Sequence, residues 1–447
     1  MDTNSSATPS TLTGNDASMP ANQTITGRDS PQKPHLGAGL IAATVAGNAL
    51  EFYDFLTYST FSVYIGKAFF PSKDPFISLL LSLATFGVGF FTRPLGGVLI
   101  GAYADRAGRK PAMMLTITLI TLGTLGMLVN PGYDSIGIAA PILLVVSRLL
   151  QGFALGGEVG PTTAVLLECA PPGRRGAVVG WQIASQGVAI FAGGVAGGIL
   201  TNVLDEKQLG LWGWRLPFLL GLVIVPLGIY LRRRLPETLE QPGTNGGMAV
   251  LREVFLHYAR PLLLGVLVIM CLTITTYIGN YMTTYAITTL KMPPSEAMLA
   301  TLTQGVCTAV AALIGGRLSD RFGRKIVMIA PRVILMLAIY PAFLFLVATR
   351  TSGALIGVAA FNALLSACSG GASIAAMTEM FPNRVRSSGV AIVYAVAVSI
   401  FGGSTQFVVA WLIGVTGDPL SPAYYAVVTS IIGLLAMIAL PRPAASN

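Results

Sequence analysis

Gly101-Ala-Tyr-Ala-Asp-Arg-Ala-Gly-Arg-Lys110 and Gly316-Arg-Leu-Ser-Asp-Arg-Phe-Gly-Arg-Lys325 are two copies of one pattern. Each copy separates two long apolar stretches and is the only charged stretch between them. A second pair of matching segments follows at similar spacing: Glu168-Cys-Ala-Pro171 and Glu379-Met-Phe-Pro382, each closely followed by an arginine. The chain is therefore predicted to consist of two halves with the same topology.

Composition places both halves in a membrane. The 447 residues are 53% hydrophobic and 11% charged, with a mean hydropathy of +0.70. Soluble domains are about 25% charged, so a disordered chain, a coiled coil and an ordinary cytosolic enzyme are excluded. The apolar stretches are long and continuous, which argues against an alternating β-barrel. The prediction is an all-α polytopic membrane protein.

Hydropathy predicts twelve transmembrane helices, six on each side of a polar linker at 232–255. The first bundle, 36–231, holds predicted spans at 36–66, 76–103, 111–130, 139–167, 176–203 and 212–231. The second bundle, 256–441, holds predicted spans at 257–289, 296–318, 326–348, 353–380, 386–414 and 422–441. Residues 1–35 read as a disordered tail without a signal peptide, and 442–447 as a short tail.

The basic residues predict the orientation. With both termini and the linker in the cytoplasm, twenty of the 28 Lys and Arg residues lie on that side and six on the other. This asymmetry is what the positive-inside rule requires, and it explains the net charge of +9 without a nucleic-acid partner. His35 and His257 lie at span edges and the four cysteines form no CxxC motif, so no metal site is expected.

The repeated motif resembles the signature loop of the major facilitator superfamily. Within it, the chain resembles the metabolite:proton symporter family, and most of all the citrate/tricarballylate proton symporters, over about 36–441. The matching stretches are Gly47-Asn-Ala-Leu-Glu-Phe-Tyr-Asp-Phe55, Arg93-Pro-Leu-Gly-Gly97, Arg148-Leu-Leu-Gln-Gly152, Gly213-Trp-Arg-Leu-Pro-Phe218 and Asn130-Pro-Gly-Tyr133. The resemblance implies two six-helix bundles, alternating access, a bacterial inner membrane, no cofactor other than the coupling proton, and function as a monomer.

Charged residues inside predicted spans are candidates for the chemistry, because burying a charge in a membrane is costly. On the first span, Asn48, Glu51, Asp54 and Tyr58 share one helix face through i, i+3 and i+4 spacing. Arg93 lies ten residues from the end of its span, about 15 Å at 1.5 Å per residue, and so near the midplane.

Arg148, Gln151 and Glu158 form a second polar stripe, on the fourth span. The resemblance implies that the first and fourth spans line the cavity, so that the two stripes face each other. A carboxylate released from an arginine by an anionic substrate would take up a proton, which couples the two ligands.

We therefore predict Asp54 or Glu51, with Glu158, as proton-coupling groups, and Arg93 and Arg148 as substrate anchors. Two alternatives remain open: the five charges form a fixed ion-pair network, or Glu158 only orients its neighbours.

Neutral polar residues extend the predicted substrate site. Tyr277, Asn280, Tyr281 and Tyr285 share a face of the seventh span, Gln182 and Gln186 lie one turn apart on the fifth, and Gln406 is on the eleventh. The tyrosine face is equally compatible with helix packing or an interfacial position. The second half is expected to contain no intramembrane charge, with Arg332 on the cytoplasmic side, which favours a mono- or dicarboxylate or a partly protonated tricarboxylate.

The motif loops are predicted to gate the transporter. Their charged residues would form an ion-paired latch on the cytoplasmic side that holds the outward-open state: Asp105, Arg106, Arg109, Glu168, Asp320, Arg321, Arg324 and Glu379. The alternative is that these residues only set the topology.

The sequence thus predicts proton-coupled import of a small carboxylate resembling citrate. The alternatives are uptake of a zwitterionic osmolyte, or of another organic acid such as a keto acid or a shikimate-like compound. Osmosensing members of the family carry a long C-terminal extension, which residues 442–447 do not supply. Motifs of an enzyme such as HExxH, G-x-S-x-G or a P-loop are absent from the sequence, and neither tail is long enough for a receptor's signalling domain.

Overall fold

The computed structural model describes residues 38–168, 174–233, 256–382 and 385–440. The predicted tails at 1–35 and 442–447 lie outside these ranges, as does nearly all of the predicted linker at 232–255. The domain boundaries drawn through these segments therefore stay predictions.

The first half is mainly helical over its described residues, with short turns between the helices. Its helices are α1 Ala38–Thr60, α2 Ser62–Phe69, α3 Pro75–Phe91, α4 Arg93–Ala107, α5 Arg109–Val129, α6 Tyr133–Ile136, α7 Ala139–Glu168, α8 Arg175–Val203, α9 Glu206–Leu211 and α10 Leu216–Arg233. The second predicted span covers both α3 and α4. Thr92 lies between these two helices, and a proline follows at the start of α4.

The second half has the same plan. Its helices are α11 Ala259–Thr288, α12 Pro294–Phe322, α13 Arg324–Thr349, α14 Ser352–Glu379, α15 Arg386–Ala397, α16 Gly403–Thr416 and α17 Ser421–Ala439. A π-helical turn, Val398–Gly402, joins α15 to α16 within the eleventh predicted span.

Ten stretches among the described residues are long and apolar enough to cross a bilayer. Two further helices, α1 and α10, occupy the positions of the first and sixth predicted spans. The chain is a multi-pass helical membrane protein, and its helices occupy all twelve predicted positions.

The repeated motif makes the same tight turn in both halves. Gly108 ends α4 and begins α5 with φ +103°, and Gly323 ends α12 and begins α13 with φ +89°. A side chain would be strained at such backbone angles, so glycine is required at this position of the motif. We call the side of the molecule that carries these two turns the motif face, and the opposite side the far face.

The halves meet along two closely packed antiparallel helices, α8 and α12. A Cβ atom on Gly176 would lie 2.6 Å from the carbonyl oxygen of Gly316, at the motif face. A Cβ atom on Gly187 would lie 2.8 Å from the carbonyl oxygen of Gly305, nearer the far face. Any larger residue would push the two helices apart, so glycine keeps the backbones in contact.

Candidate functional site

A cavity of about 110 Å³ lies between the two halves. The first half contributes Phe52 and Gln186, and the second half contributes Tyr277, Asn280 and Gln304. The residues that line it are all uncharged and combine apolar side chains with amides and hydroxyls, which is the usual character of a small-molecule site.

Asp54 of α1 lies at the end of a continuous chain of hydrogen bonds. Arg148 Nη1 donates to Gln151 Oε1 at 2.7 Å, and Gln151 Nε2 donates to Thr124 Oγ1 at 2.9 Å. The Thr124 hydroxyl donates in turn to Asp54 Oδ2 at 2.7 Å. Every donor in this relay chain points from the guanidinium toward the carboxylate, so the positive and negative groups are linked without direct contact.

The carboxyl group of Asp54 is almost fully buried, at 4% exposure. Its second oxygen, Oδ1, has no hydrogen-bond partner among the described residues. A Cβ atom on Gly221 of α10 would collide with this oxygen. Glycine therefore leaves the space in which one carboxyl oxygen remains available for a proton.

Two arginines flank one aromatic ring in the first half. The Cζ atoms of Arg93 and Arg148 each lie 4.5 Å from the centre of the Phe55 ring. Arg93 also lies over Phe90 at 4.0 Å, and Arg148 over Tyr58 at 4.5 Å. Desolvated cation–π contacts contribute about 2 kcal/mol each, which offsets part of the cost of burying the guanidinium groups.

Both arginines keep one edge of the guanidinium unused. Nε and Nη2 of Arg93 and of Arg148 have no hydrogen-bond partner in the part of the chain that the structure describes. These two nitrogens form the side-on fork that fits the two oxygens of a carboxylate. Two such buried forks together make an arrangement that favours an anion.

Close packing of α4 against α7 brings the two arginines together. A Cβ atom on Gly96 would overlap the carbonyl oxygen of Phe153, and one on Gly156 would overlap that of Arg93. The stretches Arg93-Pro-Leu-Gly-Gly97 and Arg148-Leu-Leu-Gln-Gly152 thus supply both the charges and the small residues that let their helices approach.

Tyr277 connects the arginines to the second half. Its side chain interacts with the guanidinium of Arg93 and lines the central cavity. Its ring also packs edge-on against Phe90, with 5.5 Å between the centroids. Tyr394, a residue that sequence analysis did not single out, lines the same cavity and lies near Arg93.

Two residues predicted for the site, Asn48 and Tyr58, hold helices together in the first half, and a third lines the cavity. Asn48 donates to the Ser185 hydroxyl at 2.7 Å and to the Gln182 carbonyl oxygen at 3.4 Å, and so joins α1 to α8. The Tyr58 hydroxyl donates to the Ser82 carbonyl oxygen at 3.1 Å, while its ring covers Arg148. Gln186 is the member of the predicted α8 pair that lines the cavity.

The cavity is closed toward the far face by hydrogen bonds between the halves. Gln406 Nε2 donates to the Ser59 hydroxyl at 2.6 Å, and Ser59 donates to the Asn280 carbonyl oxygen at 3.3 Å. Ser62 and Thr284 are linked at 3.0 Å one turn further out. Gln406 thus belongs to this closure.

Tyr281 and Tyr285 pack within the second half. The Tyr285 hydroxyl donates to the Pro419 carbonyl oxygen at 2.7 Å, which ties α11 to the loop before α17. Tyr281 is buried beside it, with 6.5 Å between the ring centres. This arrangement matches the helix-packing alternative stated for the tyrosine face.

At the motif face, the second copy of the motif joins the two halves. Asp320 accepts hydrogen bonds from the backbone N–H groups of Gly176 at 2.9 Å and Ala177 at 2.8 Å, in the first turn of α8. Arg324 pairs with Asp320 at 2.7 Å and with Glu379 at 3.2 Å. A carboxylate at a helix N-terminus is favourable, so these contacts stabilise closure at the motif face.

The other predicted gating residues divide into two groups. The side chains of Arg106 and Arg321 are exposed, and Arg321 lies 5.3 Å from the ring centre of its neighbour Phe322. The side chains of Asp105, Arg109 and Glu168 lie outside the described residues, as do those of the predicted proton-coupling residues Glu51 and Glu158.

One expectation about the second half is wrong. Arg332 lies two turns into α13 and is fully buried, and its Nη1 donates to the Thr275 hydroxyl at 3.1 Å. We placed it on the cytoplasmic side because it follows the motif closely, but the helix begins at Arg324 and carries it inward. The second half therefore contains a buried charge. Nε and Nη2 of Arg332, like those of Arg93 and Arg148, have no hydrogen-bond partner among the described residues, and none of the three arginines is among the cavity-lining residues.

Several site residues carry no charge and were missed for that reason. Thr124 completes the relay chain, and Gln304 and Asn362 line the cavity. Each lies among other polar residues of its span, as Thr124 does with Thr118 and Thr121, and nothing distinguishes it without knowing which helices meet. No cluster of potential metal ligands occurs among the residues with described positions.

The architecture defines a class of protein. Two helical bundles that enclose a polar cavity at their interface, with buried charges beside it, are the plan of a secondary transporter. The family model of the Major Facilitator Superfamily matches residues 44–302 and 269–447, and the chain belongs to that superfamily.

Individual relatives are also transporters. The chain is 36% identical to a citrate-proton symporter of Klebsiella pneumoniae, over 91% of this chain and 92% of the relative. It is 32% identical to a proline/betaine transporter of Escherichia coli (strain K12), over 90% and 83%. A crystal structure of a D-xylose-proton symporter superposes with a TM-score of 0.74 and 17% identity, covering 91% and 97%, and shows the shared fold.

Proposed function

We propose that this protein imports a citrate-like di- or tricarboxylate together with protons, by alternating access. The observation that carries the proposal is the pair of unused guanidinium forks of Arg93 and Arg148, of which Arg148 is linked by the relay chain to Asp54. The citrate-proton symporter relative supports the same substrate class.

The forks explain selection of an anion. Two buried positive charges beside one carboxylate leave an excess of one positive charge in this cluster of described residues. A substrate carboxylate that binds a fork supplies the missing counter-charge and two hydrogen bonds. A substrate with more than one carboxylate can engage both arginines.

The relay chain explains coupling to a proton. While Arg148 is free, its charge stabilises ionised Asp54 through Gln151 and Thr124. An anion bound at Arg148 offsets that charge, and ionised Asp54 then loses part of its stabilisation although it is buried. Proton binding at Asp54 restores the balance, so substrate and proton each favour binding of the other.

Asp54 is the proton carrier that this geometry supports, and Glu51 and Glu158 are kept as further candidates from the sequence. We place the motif face and both termini in the cytoplasm, since the basic residues gather there. The contacts of Asp320, Arg324 and Glu379 then form a cytoplasmic latch. In this structure the latch contacts are present together with the hydrogen bonds that close the far face. The structure therefore does not restrict the latch to an outward-open state.

Uptake of a zwitterionic osmolyte is the competing function, because proline/betaine transporters are among the relatives. The two arginine forks disfavour it, since a zwitterion brings a positive charge into a positive cluster. We further propose that the protein catalyses no reaction, binds no cofactor, and works as a monomer in a bacterial inner membrane.

The substrate can be tested with purified protein in liposomes. Labelled citrate is supplied outside, with unlabelled succinate, malate, 2-oxoglutarate and proline betaine as competitors. Citrate uptake inhibited by the carboxylates supports the proposal. Inhibition by proline betaine alone, or absence of citrate uptake, would overturn it.

A further inference from the structure

Two amide side chains of the second half come together at the cavity. Gln304 of α12 and Asn362 of α14 both line the cavity, and both lie against α11. A Cβ atom on Gly279 of α11 would lie 2.6 Å from Gln304 Oε1 and 2.8 Å from Asn362 Nδ2. Glycine at this position therefore lets an acceptor and a donor come together in one small space.

The orientation of Gln304 is fixed by its neighbours. Its Nε2 donates to Asn280 Oδ1 at 2.6 Å and to the backbone carbonyl of Thr276 at 3.3 Å. A backbone carbonyl can only accept, so the amide nitrogen must point toward Thr276 and the oxygen toward Asn362. Rotating the amide would lose this bond and place two donors against each other.

The oxygen of Gln304 is left without a donor. Gln304 is 2% exposed, and its Oε1 accepts no hydrogen bond from any residue that the structure describes. Asn362 Nδ2 uses one proton on the Thr275 carbonyl oxygen, at 3.0 Å, and holds a second. A buried acceptor left unpaired is costly, which makes it a place where a ligand gains by binding.

We propose that this amide pair, Gln304 and Asn362, binds an uncharged O–H group of the substrate, either an alcohol or a protonated carboxyl. Such a group donates to Gln304 Oε1 and accepts from Asn362 Nδ2. An ionised carboxylate only accepts, so the Gln304 oxygen repels it. The inference rests on the proposed function in one respect: the arginine forks hold the ionised end of the same molecule.

The pair thus divides the cavity into two chemically different ends. Tyr277, which interacts with Arg93, and Asn280, which accepts from Gln304, lie one helical turn apart on α11 and both line the cavity. A substrate with ionised carboxylates at one end and an O–H group at the other matches both. A fully ionised polycarboxylate without a hydroxyl group does not.

Equilibrium binding of labelled citrate to purified protein without a proton gradient tests this. Citrate and tricarballylate, which has the same three carboxylates and no hydroxyl, are used as competitors at two pH values. An alcohol in the pair predicts about tenfold tighter binding of citrate, and loss of that preference in Gln304→Leu. A protonated carboxyl predicts equal binding of both compounds, tighter at lower pH, and a weaker pH dependence in Gln304→Leu.

Gly279→Ala is the second variant, since it displaces the pair while keeping both amides. It should show the same loss of preference, or the same weaker pH dependence, as Gln304→Leu. Asn202→Leu removes an amide at an exposed position and serves as the control. The inference is overturned if Gln304→Leu and Gly279→Ala keep the wild-type preference and pH dependence. Failure of wild-type protein to bind citrate would instead overturn the proposed function.

Discussion

Arg148 and Asp54 are joined by three hydrogen bonds through Gln151 and Thr124. Because the contact is indirect, the guanidinium keeps its Nε and Nη2 fork for a ligand while it still stabilises the carboxylate. A direct ion pair would occupy that fork. The intervening residues therefore let one arginine serve both substrate and proton.

Asp54→Asn should separate exchange from accumulation. The amide cannot take up and release a proton, so the variant should exchange internal for external citrate but not accumulate it. Counterflow of labelled citrate in liposomes measures the exchange. Loss of counterflow together with accumulation would show that Asp54 is needed for substrate binding instead.

Thr124→Val should weaken coupling because it removes the hydroxyl that donates to Asp54 and accepts from Gln151. We expect the ratio of protons to citrate transported to fall, with Thr124→Ser close to wild type. Thr121→Val is the matched control, since the Thr121 hydroxyl bonds only the carbonyl of its own helix, at 2.7 Å. Equal ratios in Thr124→Val and Thr121→Val would refute the role of the relay chain.

Arg93→Lys and Arg148→Lys should each raise the KM for citrate about tenfold or more. Lysine keeps the charge but cannot present a fork to a carboxylate. Initial rates of uptake at varied citrate concentration measure the effect. Arg332→Lys is the control, because Arg332 is also buried and has the same two unpaired nitrogens but lies in the second half and donates to Thr275. It should leave KM unchanged; a parallel rise there would point to general damage from losing any buried arginine.

Gly221→Ala should impair proton coupling, although the substitution replaces no polar side chain. Its Cβ atom would overlap Asp54 Oδ1 and displace the carboxyl from Thr124. The expected result is citrate exchange near the wild-type rate with reduced accumulation. Accumulation at the wild-type level would mean that the position of Asp54 is not critical.

Asp320→Asn should loosen the motif face, since it removes the charge that caps the first turn of α8 and pairs with Arg324. Charge at a helix terminus contributes about 0.3–1 kcal/mol, up to about 2 kcal/mol when partly buried. Spin labels on cysteines at the exposed positions Arg174 and Phe322 would report a larger population of long distances. The exposed neighbour substitution Arg317→Gln is the control, and an unchanged distance distribution in Asp320→Asn would exclude a latch.

The repeat and the hydropathy were enough to predict the helices, because each is a property of consecutive residues. The motif repeats Gly108 and Gly323, but their tight turns with positive φ were seen only in the structure. The spacing of Asn48, Asp54 and Tyr58 placed them on one helix, but it could not show that Asn48 contacts α8.

The site residues that the sequence did not predict depend on contacts between helices that are distant in sequence. Thr124 and Gln304 look like ordinary polar residues until α5 meets α1 and α12 meets α11. We placed Arg332 outside the membrane, because charge alone does not show whether a residue precedes a helix or lies within it.

Net movement of citrate driven by protons alone tests the central claim most directly. Liposomes contain the protein and equal citrate concentrations on both sides, and only the outside is made acidic. We predict that citrate accumulates inside, that a protonophore abolishes the accumulation, and that Asp54→Asn shows none. Equal citrate on both sides throughout with wild-type protein, or full accumulation by Asp54→Asn, would contradict the account.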